Sequence, residues 1–241
     1  MLYASSILMS GILLQSCLDD HDDSIDHLLR PTALVTVIPS ADESFIMQLD
    51  NATALKPINM AKSPFGKKEV RALVNYSEDG NELSAVRNVS INWIDSIRTK
   101  LPVPSLDDES ANDLRYGNDP IDIVNDWVTI AEDGYLTLRV RTLWGSMSRP
   151  HSINLLADPD DPYKFELRHD AHGDISGTMG DALIAFNLNH LPQPADGNIR
   201  IALEWISFNG HKSTEFDLQL RSDQTDMAIS NDDIVHSRYV K

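Results

Sequence analysis

The chain has a single cysteine, Cys17, among its 241 residues. An internal disulfide and a zinc site built from several cysteines are therefore excluded. Basic residues are scarce as well, because 20 Lys and Arg stand against 37 Asp and Glu and give a formal charge of −17. A nucleic-acid-binding protein needs a basic face to neutralise phosphates, and adsorption to anionic lipid needs basic residues too. The composition argues against both.

Long hydrophobic runs are also missing. Residues 1–16 carry no charge, but they are shorter than the roughly 20 residues that span a bilayer and have the length of a signal-peptide core. Leu14-Gln15-Ser16-Cys17 follows and resembles the lipobox of bacterial lipoproteins, in which the leader is removed and the cysteine becomes the lipidated first residue. We therefore expect a signal peptide over residues 1–16 and an acyl anchor, palmitate included, on Cys17.

Residues 17–30 are acidic. Five aspartates follow the cysteine before the first basic residue, Arg30. Such a run is typical of a solvated, self-repelling tether. It also resembles the acidic signal that sends some lipoproteins of Gram-negative gut and oral anaerobes to the cell surface. A metal site built with His21 or His27 is the alternative, although so polar a run orders poorly around an ion.

The rest of the chain predicts an all-β protein of two domains. Residues 31–100 contain five short alternating runs separated by turns and lack a sustained period of 3.6, which favours an OB-like five-stranded barrel. Residues 101–119 contain two prolines among Asp, Glu, Ser and Asn, which indicates a linker. Residues 120–221 predict about seven strands in an antiparallel β-sandwich, and residues 222–241 a polar tail.

The clearest local signals lie in the second domain. Asp133-Gly134 stands between two alternating segments, which is a strong hairpin signal. The segment that follows, Tyr135–Trp144, alternates over its whole length and predicts a strand.

Seven segments resemble the two domains of the NigD-like lipoprotein family. Four are similar to its N-terminal OB-like domain: ALVTV (Ala33–Val37), FIMQLDNATAL (Phe45–Leu55), KKEVRALVNYSE (Lys67–Glu78) and INWIDSIRTK (Ile91–Lys100). Three are similar to its C-terminal β-sandwich domain: residues Asn118–Gly145, Asn154–Asp174 and Glu204–Asp217. The resemblance covers nearly all of residues 17–220. It implies a lipoprotein without an established catalytic motif, and Cys17 is the one site residue that it carries over. The name-giving member is proposed as an immunity protein encoded beside a bacteriocin.

Signals for catalysis are weak. The chain lacks G-x-S-x-G, and Ser146 and Ser148 lie near His151 in a turn rich in Gly and Pro. The weak metal candidates are His169, His172 and Asp174, but zinc needs three or four well-placed ligands, so a polar surface loop is the favoured interpretation. Calcium on the three aspartates of residues 158–161 is disfavoured, because their spacing misses the EF-hand pattern.

Two further groups of residues bear on binding. The four tryptophans could stack on sugars, but in alternating strands we expect at least three of them in the interior: Trp93, Trp127, Trp144 and Trp205. One local basic strip interrupts the acidic composition, and we expect it to solvate a loop and an edge strand: Lys62, Lys67, Lys68 and Arg71.

The sequence thus predicts a lipoprotein of the outer membrane of a Gram-negative bacterium, exposed at the cell surface through the anchor at Cys17. It would bind a partner without catalysis and without a cofactor, and the acidic surface favours a cationic protein or peptide, as in bacteriocin immunity. The alternatives are a surface glycan-binding accessory protein and a metal-dependent enzyme using His169, His172 and Asp174.

Overall fold

The computed structural model describes residues 30–50, 52–79, 85–106, 108–146, 148–194 and 199–221. These residues form fifteen strands and one helix, which confirms the all-β prediction. From Pro31 onward they belong to one compact unit. No helix in the described ranges is long and apolar enough to cross a bilayer.

The N-terminal domain is a closed barrel, and the strands that the structure describes there confirm the predicted five. They are β1 (Ala33–Pro39), β2 (Phe45–Gln48), β3 (Ala54–Pro57), β4 (Val70–Glu78) and β5 (Val86–Ser96). The order around the barrel is β1-β2-β3-β5-β4, and β1 closes it by pairing antiparallel with both β2 and β4. Side chains of alternating positions fill its core, among them Val35, Val37, Met47, Leu55 and Val74.

The C-terminal domain is a sandwich of two sheets. The barrel-side sheet has the order β6 (Arg98–Lys100), β13 (Thr178–Asn187), β10 (Tyr135–Trp144) and β8 (Asp122–Ile123), and β9 (Ile130–Glu132) also pairs with β10. The helix-side sheet has the order β15 (Gly210–Leu218), β14 (Ile199–Ser207), β12 (Lys164–Asp170), β11 (Ser152–Ala157) and β7 (Val103–Pro104). One continuous apolar cluster fills the space between them, including Leu138, Phe165, Phe186 and Leu203.

The sandwich is larger than the predicted seven strands and partly parallel. In the described residues, three of its pairings are parallel: β6 with β13, β7 with β11, and β12 with β14. The additional strands β6 to β9 are only two or three residues long. Runs this short are not long enough to show a sustained alternating pattern.

The predicted linker is corrected by the structure. Residues 101–119 contain β7 and the helix α1 (Glu109–Tyr116), and β6, predicted as part of the barrel domain, pairs with β13 of the sandwich. The side chain of Asp108 caps α1 by accepting from the backbone N–H of Ser110. Gly117 follows the helix with φ of 77°, a conformation that favours glycine. The chain therefore enters the sandwich at about residue 98.

The predicted Asp133-Gly134 hairpin is confirmed. It joins β9 to β10 with φ of 49° at Asp133 and 74° at Gly134, and two positive φ values are typical of a type I′ turn. Along β10, Leu136 and Leu138 point into the sandwich core, whereas Tyr135 and Thr137 point the other way and are nevertheless fully buried. The barrel therefore packs on the outer face of this sheet and buries these side chains.

Candidate functional site

A buried chain of three titratable side chains lies at one end of the sandwich; we call it the His–His–Asp chain. The Nδ1 of His151 lies 2.8 Å from the Nε2 of His169, and the Nε2 of His151 lies 3.4 Å from the Oδ2 of Asp174. His151 is 0% exposed and His169 1% exposed. Both imidazoles of the His–His–Asp chain are therefore inaccessible to solvent.

Three elements position these side chains. His151 precedes β11, His169 lies on β12 opposite Ile153, and Asp174 lies in the connection to β13. Trp144, at the end of β10, stacks on the His151 ring with 4.1 Å between centroids.

The stacked indole depends on glycines. A Cβ at Gly177, whose φ is 123°, would lie 2.2 Å from the carbonyl oxygen of Trp144, and a Cβ at Gly180 would lie 2.5 Å from the Trp144 ring. Contacts this short are not compatible with a side chain, so only glycine permits the observed packing at both positions.

The electrostatics of the His–His–Asp chain favour a neutral His169 and an ionised Asp174. Burial, and after it the neighbouring His151, lower the pKa of His169 to about 4. The backbone N–H groups of Ser146 and Gly145, each 3.0 Å from Oδ2, hold the pKa of Asp174 below its usual value. The carboxylate can only accept, so the Nε2 of His151 carries a hydrogen toward it.

The arrangement does not supply a base for nucleophilic catalysis. Both ring nitrogens of His151 are engaged, one by His169 and the other by Asp174. The Oγ of Ser146 lies 2.9 Å from the Oγ of Ser148. A serine nucleophile needs an imidazole nitrogen that can take its proton, and His151 offers none to either hydroxyl.

The structure separates the three weak metal candidates. His169 and Asp174 bind opposite nitrogens of His151, whereas His172 lies in the turn after β12, half-exposed, with its Nε2 2.9 Å from the Oγ of Ser152 and its Nδ1 3.1 Å from Asp170. Within the described ranges, no group of three His, Cys, Asp or Glu side chains could hold a metal ion.

In the acidic loop at residues 158–161, the aspartate carboxylates accept hydrogen bonds from neighbouring backbone N–H groups. The Oδ1 of Asp158 accepts from the backbone N–H groups of Asp160 at 2.9 Å and Asp161 at 3.1 Å, and these bonds lower the pKa of Asp158. Asp161 in turn accepts from the N–H of Tyr163. The side chains stabilise turns of the loop.

The junction of barrel and sandwich contains a fully buried arginine. Arg71, expected in a solvated basic strip, is 0% exposed, so that prediction is wrong for this residue. Its guanidinium donates to the Oγ1 of Thr36 at 2.9 Å and to Glu132 at 2.6 Å, and lies 5.6 Å from the centroid of the Tyr135 ring. Arg71 lies on the outer face of β4, and the sequence alone does not show that the sandwich covers this face.

A second ion-pair group joins the same two domains. Arg221 donates to Glu69 at 2.9 Å and to Asp133 at 2.5 Å, and the hydroxyl of Tyr135 donates to Glu69 at 2.6 Å. Burial, and after it the charge of Glu69, raise the pKa of Tyr135, which therefore stays protonated. Residues from the barrel, the β9–β10 turn and the end of the sandwich thus converge on one network.

An apolar cluster lies in the same junction. Leu34 and Ile97 pack with Ala185 of β13, with Leu73 and Ile130 at the margin. Apolar burial and charged hydrogen bonds together fix the barrel on the barrel-side sheet.

A second buried arginine attaches α1 to the helix-side sheet. Arg168, on β12, is almost completely buried. It donates to Glu109 and to Asp113 on the helix, the latter at 2.5 Å, and its Nε lies 2.8 Å from Glu166. In the sequence, the signal for this contact is the set of acidic residues within the segment predicted as a linker.

The tryptophans do not follow the expected distribution. Trp205 is buried, Trp93 and Trp144 are partly buried, and Trp127 is 53% exposed, so the prediction of at least three in the interior is wrong. Trp127 lies in the turn between β8 and β9, next to Asp126, whose carboxylate accepts from Arg139 at 2.7 Å. A turn does not impose the inward alternation of a strand.

The predicted lipidation site lies outside the described residues. This applies to Cys17, to the signal peptide over residues 1–16, to nearly all of the tether over residues 17–30, and to the tail over residues 222–241.

Comparison with protein families finds two matches, one for each domain. Residues 34–97 match the NigD-like N-terminal OB domain, and residues 104–218 match the NigD-like C-terminal beta sandwich domain. The second match begins close to β7, in agreement with the corrected start of the sandwich. No protein of curated function matches the chain.

Solved structures resemble the chain over most of its length. A candidate toxin-related protein from Parabacteroides distasonis is 31% identical, with a TM-score of 0.65 over 78% of this chain and 92% of that one. A NigD-like immunity protein from Bacteroides caccae is 22% identical, with a TM-score of 0.54 over 77% and 92%. A candidate lipoprotein from Bacteroides fragilis is 11% identical, with a TM-score of 0.52 over 80% and 98%. The last two likenesses show the fold alone.

Proposed function

The chain belongs to the NigD-like family, and from this premise we propose that it is a lipid-anchored protein of the outer membrane, exposed at the cell surface. There it binds a cationic protein or peptide without catalysing a reaction, and the role we propose is immunity against a bacteriocin. The name of the Bacteroides caccae neighbour, a NigD-like immunity protein, supports this role.

The anchor rests on the sequence around Cys17. An uncharged leader precedes Leu14-Gln15-Ser16-Cys17, and an acidic run follows it. The Bacteroides fragilis neighbour is a candidate lipoprotein with the same fold. More than one acyl chain makes such an anchor lasting, since each buried CH₂ contributes about 0.8 kcal/mol.

The observation that carries a binding role is the sealed His–His–Asp chain. It brings two imidazoles and a carboxylate together, yet both imidazoles are buried and both nitrogens of His151 are engaged by protein groups. The buried arginines Arg71 and Arg168 likewise bind carboxylates of their own chain. These groups stabilise the fold, which leaves the outer surface to act by contact.

The charge of the molecule indicates the chemistry of the partner. A formal charge of −17 attracts cations at long range and raises the association rate of a basic partner. This attraction weakens as salt is added, because the screening length shortens.

The anchor is tested by membrane fractionation of Cys17→Ala. We expect the variant to lose incorporation of labelled palmitate and to leave the membrane fraction during an alkaline wash. Ser16→Ala is the matched control, since it changes the adjacent residue, keeps the cysteine and is expected to stay anchored. Retention of Cys17→Ala after the wash would refute the anchor.

The partner is tested by affinity capture from intact cells with the acylated protein, followed by a challenge of sensitive cells with bacteriocin-containing culture fluid. We expect a basic protein or peptide that is released by added salt, and better survival of cells that carry the protein. A captured glycan, or equal survival with and without the protein, would refute the immunity role.

Glycan binding remains the second candidate because Trp127 is exposed beside the Arg139–Asp126 pair. An exposed indole can stack on a sugar ring. If this function is correct, Trp127→Ala abolishes binding to surface polysaccharide, whereas Trp205→Phe, a change at a buried indole, does not.

A further inference from the structure

Two cations on one short strand, the buried Arg98 and the partly buried Lys100, differ from the paired arginines described above. Arg98 and Lys100 lie on β6, where Arg98 is opposite Ile184 and Lys100 opposite Phe186 of β13. Ile184 and Phe186 point into the sandwich core. Paired residues share a face of a sheet, so both cations point to the inner side of the barrel-side sheet, at its edge.

Some N–H groups of these two cations have no hydrogen-bond acceptor among the described residues. The Nε and Nη1 of Arg98 are buried without a hydrogen-bond partner. The Nζ of Lys100 donates to the carbonyl oxygen of Ile153 at 2.7 Å and to the Oδ1 of Asn154 at 2.6 Å. An ammonium has three N–H groups, so one more remains available.

The two cations also lack a counter-charge. In the described part of the chain no carboxylate lies within ion-pair distance of either side chain, whereas Arg71, Arg168 and Arg221 each bind at least one. Burial lowers the pKa of Arg98, and burial followed by the charge of Arg98 lowers the pKa of Lys100 to about 8. Two like charges thus share a poorly solvated position in a chain that has 37 acidic residues.

We propose that Arg98 and Lys100 form a binding site for a small oxyanion, either a phosphate-type group or a carboxylate. A buried cation is strongly unfavourable unless it is paired and hydrogen-bonded. The free groups are all donors, and guanidinium and ammonium groups are the usual protein ligands of carboxylate and phosphate oxygens.

The site lies at the margin of the sandwich. The chain passes here from β6 in one sheet to β7 in the other, and Lys100 spans the gap by bonding β11. Arg98 retains 7% of its surface exposed. The site thus lies where the chain crosses from one sheet to the other, and its existence does not depend on the anchor or on the protein partner.

The test compares the Tm of wild type with that of Arg98→Met, first in chloride and then with an added oxyanion. In chloride, we expect the variant to have a Tm equal to or above that of wild type, because it loses an unpaired buried charge. In millimolar inorganic phosphate, sulfate or acetate at constant ionic strength, wild type gains stability and the variant does not. Calorimetric titration then gives an affinity that falls about tenfold or more in the variant. The anion that binds best separates the phosphate-type ligand from the carboxylate.

Arg139→Met is the matched control, because it removes an arginine whose carboxylate partners are present at the outer face of the same sheet. It should keep the full response to the anion. Lys100→Met gives a second, independent variant if Arg98→Met does not fold, and it should also lose the response. The site is refuted if no anion binds wild type, or if Arg98→Met or Lys100→Met binds the anions as well as Arg139→Met does.

Discussion

Acid should unfold this protein early, and His169 is the residue expected to cause it. The imidazole is held neutral in the fold, where its pKa is about 4, whereas an unfolded chain titrates near 6.5. Between these two values the unfolded chain binds a proton that the folded chain does not. The free energy of unfolding therefore decreases as the pH falls through this window.

The size of the effect follows from the two pKa values. Each pKa unit corresponds to 1.36 kcal/mol, so the free energy of unfolding should fall by about 2 kcal/mol between pH 7 and pH 5, and by about 3 kcal/mol by pH 4, from this group alone. For a protein whose total stability is about 5–15 kcal/mol, such a loss is easily measured.

The assay is urea unfolding followed by tryptophan fluorescence at several pH values. His169→Gln removes the titrating ring and keeps a group that can bond to His151, so its stability should change less with pH than that of wild type by the amounts above. His172→Gln, a change at the half-exposed neighbouring histidine, is the control and should follow wild type. If His169→Gln and wild type lose the same free energy between pH 7 and pH 5, the assignment of the pH dependence to His169 is wrong.

Three further predictions concern the buried contacts. Glu69→Gln should lower the free energy of unfolding by about 2 kcal/mol, because it removes the carboxylate that Arg221 and the Tyr135 hydroxyl share, while Asp133 still pairs with Arg221; urea unfolding measures it, and a cost equal to that of the exposed control Glu43→Gln would contradict it. Gly177→Ala should cost about 2–4 kcal/mol, because its Cβ meets the Trp144 carbonyl at a positive φ, whereas Gly66→Ala has open space around its Cβ and should cost less in the same thermal unfolding assay. Arg168→Met should release α1, which hydrogen exchange detects as faster exchange over residues 109–116; unchanged protection there would show that the helix does not depend on this arginine.

The sequence predicted the regular part of the fold because its strands alternate. Tyr135–Trp144 is predicted and observed with the same bounds, and the adjacent hairpin follows from the φ preferences of Asp133-Gly134. The helix α1 could not be predicted in this way, because it is short and polar and is held by an arginine distant in sequence.

The candidate site was only partly predictable for a similar reason. His169 and Asp174 were identified as chemically interesting from their density along the chain, but their actual partner is His151, which lies 18 residues before His169. Sequence spacing places side chains along one strand and does not show which neighbouring strand faces them. Arg98 and Lys100 were missed because an alternating Arg-Thr-Lys run has the pattern of an exposed strand.

The junction of the two domains also limits where a partner can bind. OB barrels usually bind ligands on an outer face, but here the outer side chains of β1 and β4 contact the sandwich through Thr36, Arg71 and the cluster around Leu34. A partner therefore cannot use that face without separating the domains, which would break the Arg71–Glu132 bond in the buried junction. By contrast, Ile46 on β2 is partly exposed and Ile58 after β3 is exposed. If the barrel contributes to partner binding, substitutions on β2 and β3 should weaken the complex, whereas those on β1 and β4 should act through stability.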